Sequence, residues 1–141
     1  MPNAEAPAAE VQSVVMVADS EILVRAEIAG YLRHCGYRVI EAANADEAVA
    51  FLLEGPDPVN AVLIHVQLGG NMDGFGLAQW IRGRMAQVQV ILAGTAPRAA
   101  QEAAELCDKG PTLSRPYEPQ LVVDRIRRLL ALRTPIKPPE G

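Results

Sequence analysis

The sequence predicts an α/β fold: a single doubly wound (βα)5 domain in which a five-stranded parallel sheet lies between two layers of helices. Short apolar runs bounded by turn residues alternate with stretches of helical periodicity, five of each. One run, residues 61–68, is continuously apolar as far as His65, which is typical of a strand buried on both faces in the middle of a parallel sheet. Strands that alternate with helices call for right-handed crossovers.

Length and composition bound the domain and its partners. The 141 residues suffice for one domain with a real core, expected over residues 13–132. Residues 1–12 predict a disordered tail, and residues 133–141 a proline-rich tail. The net charge of −4 argues against nucleic acid or a membrane as the partner. No apolar run approaches the roughly 20 residues that span a bilayer, and no signal peptide is evident, so a cytoplasmic location is expected.

The two cysteines, Cys35 and Cys107, follow no CxxC spacing and are few for a secreted scaffold. They are predicted to be buried or half-buried thiols in a reducing cytoplasm. A disulfide or a metal site is not expected.

The first strand, residues 14–18, ends at Asp19, and Ser20 is predicted to cap the helix that follows. Gly36 should stop this helix. The apolar stripe of the helix consists of Val24, Ile28, Leu32 and Cys35.

Residues 37–41 predict the second strand. Asn44 and Glu47 then resemble a capping box, and residues 55–58 should break the helix that they open. The residues expected to face inward from this helix are Ala48, Phe51 and Leu52.

The central strand, within residues 61–68, precedes a glycine-rich loop in which Asp73 is expected to cap the third helix. The apolar side of that helix should consist of Leu77, Trp80, Ile81 and Met85. Residues 88–92 predict the fourth strand, 93–97 its exit loop and 98–107 an alanine-rich helix.

Residues 110–114 predict a short fifth strand, and a last helix should begin near Pro119. The residues of this helix expected to face the sheet are Leu121, Val122, Ile126, Leu129 and Leu130. Its outer side should carry Arg125, Arg127 and Arg128.

Nearly the whole chain resembles the receiver domain of bacterial response regulators, the CheY-like family. The match is carried, in order, by residues 15–21, 63–68, 72–75, 90–94 and 113–119. The resemblance implies a sheet in the order 2-1-3-4-5 and a role in two-component (phosphorelay) signalling.

Nearly every position that the family uses for phosphoryl transfer holds another residue type here. The positions are Asp19 and Ser20 for the acidic pair, His65 for the acceptor aspartate, Gly94 or its neighbour Thr95 for the switch Ser/Thr, Thr112 for the rotating aromatic residue and Arg115 for the lysine. The resemblance is therefore to a degenerate receiver, or pseudo-receiver.

The altered positions predict that phosphoryl transfer fails. Transfer to an aspartate needs an oxygen nucleophile and a divalent cation, and Mg²⁺ prefers hard oxygen ligands. With Asp19 at −1, Arg115 at +1 and His65 mostly neutral, the pocket charge sums to about zero. Mg²⁺ binding is therefore expected to be lost or weak, with no metal site, no cofactor and no catalytic residue. A permanent ion pair between Asp19 and Arg115 is a further hypothesis.

His65 admits three interpretations. The simplest is a structural histidine that fills the space of the acceptor and hydrogen-bonds Asp19. It could instead be a proton switch, since an imidazole beside a carboxylate can titrate near neutral pH. It could also accept a phosphoryl group itself.

The function predicted is that of a stand-alone receiver-like protein, not an enzyme, that acts by protein–protein contact and independently of phosphorylation. The expected partner is a sensor kinase, a phosphotransfer protein or another regulator, and a homodimer could form through residues 99–130. One alternative is a genuine phosphorelay receiver phosphorylated at a non-standard residue. A second is a small flavodoxin-like cofactor-binding protein.

Overall fold

The computed structural model describes residues 13–110 and 115–133. Within them, strands alternate with helices in the predicted order. The elements are β1 (Val14–Ala18), α1 (Ile22–His34), β2 (Arg38–Ala42), α2 (Ala45–Glu54), β3 (Ala61–His65), α3 (Gly74–Arg84), β4 (Gln89–Ala93), α4 (Ala96–Lys109) and α5 (Pro119–Arg133). Each predicted strand and helix that falls wholly within these residues is present, with its ends shifted by no more than about two or three residues.

The strands of the described chain form a parallel sheet in the order β2-β1-β3-β4. This agrees with the predicted order 2-1-3-4-5 as far as it goes, but the sheet has four strands there rather than five. The predicted fifth strand lies almost wholly at residues 111–114, outside the described residues. Gly110, its predicted first residue, instead follows the end of α4 as its C-cap.

The sheet separates two apolar layers because its central strands are buried on both faces. Val15, Val17 and Leu63 pack with α1, α4 and α5 on one face, whereas Met16 and Ile64 pack with α2 and α3 on the other. The continuous apolar pattern of residues 61–64 is thereby explained.

Three of the predicted helix features are confirmed. Asn44 caps α2 by accepting a hydrogen bond from the backbone N–H of Glu47 at 2.8 Å. Asp73 caps α3 by accepting from the backbone of Gly76 at 2.8 Å. Gly36 follows the end of α1 with a φ of 100°, a conformation that glycine adopts readily.

Three other assignments are wrong. Ser20 does not cap α1, because the carboxylate of Glu21 takes that position and accepts from the backbone of Leu23. Phe51 and Leu121 were expected to face inward but are 39% and 50% exposed. The helical stripe was misjudged in α5, where Val122, Val123 and Ile126 are the buried residues.

The cysteine prediction is wrong as well. Cys35 and Cys107 form a disulfide, with their Cα atoms 5.6 Å apart. The helices that carry them, α1 and α4, pack side by side on the same face of the sheet, and this brings together residues 72 positions apart.

Among the described helices, none has the combination of length and apolar character that a membrane crossing requires.

Candidate functional site

The carboxyl ends of β1 and β3 place Asp19 and His65 beside each other in a cleft, as the sequence predicts. Asp19 follows β1, and its backbone N–H extends the pairing with β2 by donating to the carbonyl of Ala42 at 3.0 Å. His65 is the last residue of β3 and lies in register with Ala93 of β4. The site residues are thus fixed by the sheet rather than by a loop. We call this side of the sheet the cleft edge.

The cleft has a volume of about 220 Å³. It is lined by Asp19, Ser20, Glu21, Val24, His65, Gln67 and Ala96. Glu21 and Gln67 were not among the predicted site residues. Their sequence positions could have indicated them, because Glu21 is two residues after Asp19 and Gln67 is two residues after His65. At both places the chain turns back over the cleft edge.

The imidazole of His65 is tied to its own loop. Its Nδ1 accepts a hydrogen bond from the backbone N–H of Gln67 at 3.1 Å. The predicted hydrogen bond to Asp19 is not among those that the described side chains form.

Asp19 is buried, with 6% of its surface exposed, and its Oδ1 accepts a hydrogen bond from the backbone N–H of Glu21 at 2.9 Å. Burial raises the pKa of this carboxyl group, and the nearby charge of Glu21 adds to the effect. The hydrogen bond and the charges of His65 and Arg25 act in the opposite direction, but the pKa stays above its ordinary value. The cleft therefore disfavours the ionised form of its most buried carboxylate.

The cation nearest to this carboxylate along the chain is Arg25, not Arg115. Arg25 donates from Nη1 to the backbone carbonyl of Asp19 at 2.8 Å, and its Nε pairs with Glu41 at 3.1 Å. The guanidinium group thus anchors the backbone at the end of β1 while its charge is shared with a second carboxylate.

The hypothesis of an ion pair between Asp19 and Arg115 is wrong. Arg115 pairs through Nε with Asp108 at 3.1 Å and through Nη1 with Glu118 at 3.8 Å. Asp108 lies in the last turn of α4, and α4 ends at the opposite end of the sheet from the cleft. The pairing with Asp108 therefore holds Arg115 at that opposite end.

Tyr117 lies at that same end, where its backbone carbonyl accepts from the hydroxyl of Tyr31 at 2.9 Å and the two rings are 5.1 Å apart. Tyr31 and Cys35 stand at the end of α1, and Cys107 stands near the end of α4. We call this end of the domain, which holds Tyr31, Cys35, Cys107 and Tyr117, the base.

The other predicted positions are split between the cleft and its surroundings. Ser20 lines the cleft and is exposed. Thr95 caps α4, because its side-chain oxygen accepts a hydrogen bond from the backbone N–H of Arg98 at 3.1 Å. Gly94 and Thr95 are not among the residues that line the cleft, whereas Ala96, the first residue of α4, is. Thr112 lies outside the described residues.

The donor set does not fit the Mg²⁺ ion that the family resemblance implies. Mg²⁺ requires several hard oxygen ligands in near-octahedral geometry. Asp19 has one oxygen engaged with a backbone N–H, the carboxylate of Glu21 caps a helix, and His65 offers nitrogen. In the described part of the chain, no three His, Cys, Asp or Glu side chains are grouped so as to hold a metal ion.

Known proteins resemble the chain along most of its length. The transcriptional regulatory protein AruR of Pseudomonas aeruginosa is 29% identical over 119 residues, which cover 82% of this chain and 48% of that protein. ResD of Bacillus subtilis is 27% identical over 119 residues, covering 84% of this chain and 48% of that protein. The chain thus spans about half the length of these relatives.

Solved structures agree on the fold. A CheY-like receiver domain protein from Methanospirillum hungatei superposes with a TM-score of 0.54 at 18% identity, covering 86% of this chain and 95% of that one. The receiver domain of NtrX from Brucella abortus gives 0.52 at 22% identity, covering 83% and 98%. The family model of the response regulator receiver domain matches residues 15–127. Since this match spans most of the sequence, the chain belongs to the response regulator receiver domain family.

Proposed function

We propose that this receiver domain acts in two-component signalling without being phosphorylated in its cleft, and that it signals through contact with a partner protein. The observation that carries the proposal is His65. It stands at the carboxyl end of the central strand, where the resemblance to the family puts the acceptor aspartate, and its Nδ1 accepts a hydrogen bond from a backbone N–H of its own loop.

The chemistry of the cleft supports this proposal. An acyl phosphate forms only on a carboxylate, and its transition state needs a cation that neutralises the phosphoryl oxygens. Of the two carboxylates that line the cleft, Glu21 caps α1, and Asp19 is buried, accepts a hydrogen bond from the backbone of Glu21 and has its pKa raised by burial. Arg115, at the position of the family's lysine by the resemblance, is paired with Asp108 and Glu118 rather than with Asp19. The proposed absence of phosphorylation in the cleft therefore rests on the donor set of the cleft and not on a charge balance between Asp19 and Arg115.

Incubation of the purified chain with acetyl phosphate and Mg²⁺, followed by intact-mass measurement, tests the proposal. We expect no gain of a phosphoryl group. The double variant His65→Asp/Ser20→Asp restores both lost carboxylates and is the matched positive control. Stable phosphorylation of the wild type would overturn the proposal, and peptide mapping would then tell whether His65 or another residue of the chain takes the phosphate.

Calorimetric titration with Mg²⁺ tests the donor set separately. No binding in the low millimolar range is expected for the wild type. Clear binding there would contradict the loss of the cation site even if no phosphate were accepted.

We place the partner contact on α4 and α5, within residues 99–130. Leu121 on this surface is 50% exposed, and Arg127 and Arg128 are exposed on the same helix. A sensor kinase, a phosphotransfer protein, another regulator or a second copy of the chain are the candidate partners. Leu121→Asp should abolish the contact while leaving the fold intact, whereas Leu53→Asp, at a similarly exposed position on α2, should not.

A further inference from the structure

We propose that the disulfide between Cys35 and Cys107 is a reversible redox lock on the surface formed by α4 and α5. In the oxidised state it holds the end of α4 against the end of α1. In the reduced state the last turn of α4, and α5 with it, gains mobility. This input is independent of the cleft, because the disulfide lies at the base.

The position of the disulfide carries the inference. Cys35 is the C-cap residue of α1, and Cys107 lies in the last turn of α4. Helix α5 packs against both α1 and α4, so the bond joins the two supports on which α5 rests. The link joins the ends of two helices and no strand, so it acts directly on the separation of these helices.

The neighbouring contacts at the base are non-covalent. The hydroxyl of Tyr37 donates to the carbonyl of Leu106, next to Cys107, and the hydroxyl of Tyr31 donates to the carbonyl of Tyr117, just before α5. Asp108 also pairs with Arg115, and the rings of Tyr31 and Tyr117 are 5.1 Å apart. Each hydrogen bond contributes little net stability, because it replaces hydrogen bonds that the unfolded chain makes with water. Once the disulfide is reduced, the contacts that remain permit transient opening of the last turn of α4.

Two molecules of a low-molecular-weight thiol supply the electrons and protons that reduce the disulfide. A thiolate attacks one sulfur of the disulfide and forms a mixed disulfide while the other cysteine leaves and takes up a proton. A second thiol resolves the mixed disulfide, so two thiols become one disulfide and two electrons and two protons pass to the cysteines. The reverse reaction uses a low-molecular-weight disulfide as the oxidant.

Both cysteines are fully buried, so either reaction requires transient exposure of the sulfur atoms. In a reducing compartment, which is where the sequence predicts this chain to work, disulfides are usually transient and redox-sensing. This favours a reversible lock over a permanent one.

Equilibration of the full chain in glutathione buffers of graded reduced-to-oxidised ratio tests reversibility. Free thiols are trapped by alkylation and counted by intact mass. We expect complete interconversion of the two states under native conditions. A disulfide that stays intact at every ratio until the protein is unfolded would overturn the proposal, and so would a pair of thiols that never becomes oxidised.

Hydrogen exchange tests the location of the effect. On reduction, amides of residues 106–109 and 119–132 should exchange about tenfold faster or more, whereas those of β3 should change by less than about twofold. The variant Cys35→Ala/Cys107→Ala should show the fast pattern at every glutathione ratio. Equal exchange in both states, or uniform acceleration over the whole chain, would overturn a lock that acts on α4 and α5.

Discussion

The two edges of the sheet are held together in different ways. At the cleft edge, Asp19 and His65 each accept one hydrogen bond from the backbone of the loop that follows them. At the base, a buried disulfide joins two helices, and Tyr31 reaches across the fold to the carbonyl of Tyr117, 86 residues away in sequence. The side chains of Asp19 and His65 are thus held by local contacts, whereas the base is held by contacts between distant parts of the chain.

The difference bears on how a signal could cross this domain. Arg115 precedes α5 and is paired with Asp108 at the base. In the described contacts, α5 is therefore fixed by α1, α4 and the base rather than by a side chain that reaches into the cleft. We infer that a change at His65 has little effect on the position of α5, whereas a change at the base alters that position through the immediate neighbours of α5.

Reduction of the disulfide should cause the largest loss of stability. For a closed loop of this length, the chain-entropy relation gives about 4 kcal/mol of stabilisation. Urea unfolding of the wild type with and without reductant should show this difference in the free energy of unfolding. The chain has only these two cysteines, so the comparison isolates the bond.

The variant Cys35→Ala/Cys107→Ala is the matched control for this prediction. It should unfold at nearly the same urea concentration with and without reductant. A wild type that is equally stable in both conditions would show that the base is held by packing alone, and the contrast between the two edges would then be lost.

A substitution of Gly74, at the cleft edge, should cause the second largest loss of stability. A Cβ atom at this position would overlap the backbone carbonyl of His65 and come within 2.7 Å of the Cα atom of Val66. Since both are backbone atoms, the start of α3 would have to move. Gly74→Ala should cost about 3 kcal/mol in the free energy of unfolding.

The same substitution later in α3 is the control. A Cβ atom added at Gly83 would meet no other heavy atom within 4 Å, so Gly83→Ala should stabilise the helix by about 0.5–1 kcal/mol. Chemical denaturation of both variants tests the opposite signs. Equal effects would mean that the close approach of α3 to His65 does not constrain the cleft edge.

The sheet could be predicted from the sequence because its signals are local. Short apolar runs and turn residues set each strand, and the side chains of Asn44 and Asp73 cap helices through backbone groups three positions away. Asp19 and His65 reached the cleft because carboxyl ends of parallel strands share one edge. The predictions for Phe51 and Leu121 failed because a helical stripe does not show where its boundary with solvent lies.

The base could not be predicted, because its contacts join residues far apart in sequence. Spacing alone carries no information on whether Cys35 and Cys107 meet, since this depends on α1 and α4 packing on the same face. The prediction for Arg115 failed for a different reason. The family pattern placed Arg115 beside Asp19, whereas the carboxylates of Asp108 and Glu118, which are close to it in sequence, bind it at the base.

Asp19→Asn should cause the smallest change in the free energy of unfolding, and this change should stabilise the fold. Burial raises the pKa of this carboxyl group in the folded chain, so the folded state binds its proton more tightly than the unfolded state. Wild-type stability from this group is therefore greatest in acid, and it falls as the pH rises from the unfolded pKa of about 3.9 through the folded value. At neutral pH the neutral amide avoids the cost of ionisation and can still accept the hydrogen bond from Glu21.

Thermal unfolding followed by circular dichroism at several pH values measures this effect. The Tm of Asp19→Asn should exceed that of the wild type by a few degrees at pH 7, and the difference should vanish near the unfolded pKa of about 3.9. Asp46→Asn, at an exposed position in α2, should shift the Tm by no more than about one degree at either pH. A lower Tm for Asp19→Asn at pH 7 would mean that the ionised carboxylate supports the cleft edge. The hydrogen bond from Glu21 and the charges of His65 and Arg25 would then outweigh burial, and the cleft would be better prepared for a cation than its donor set indicates.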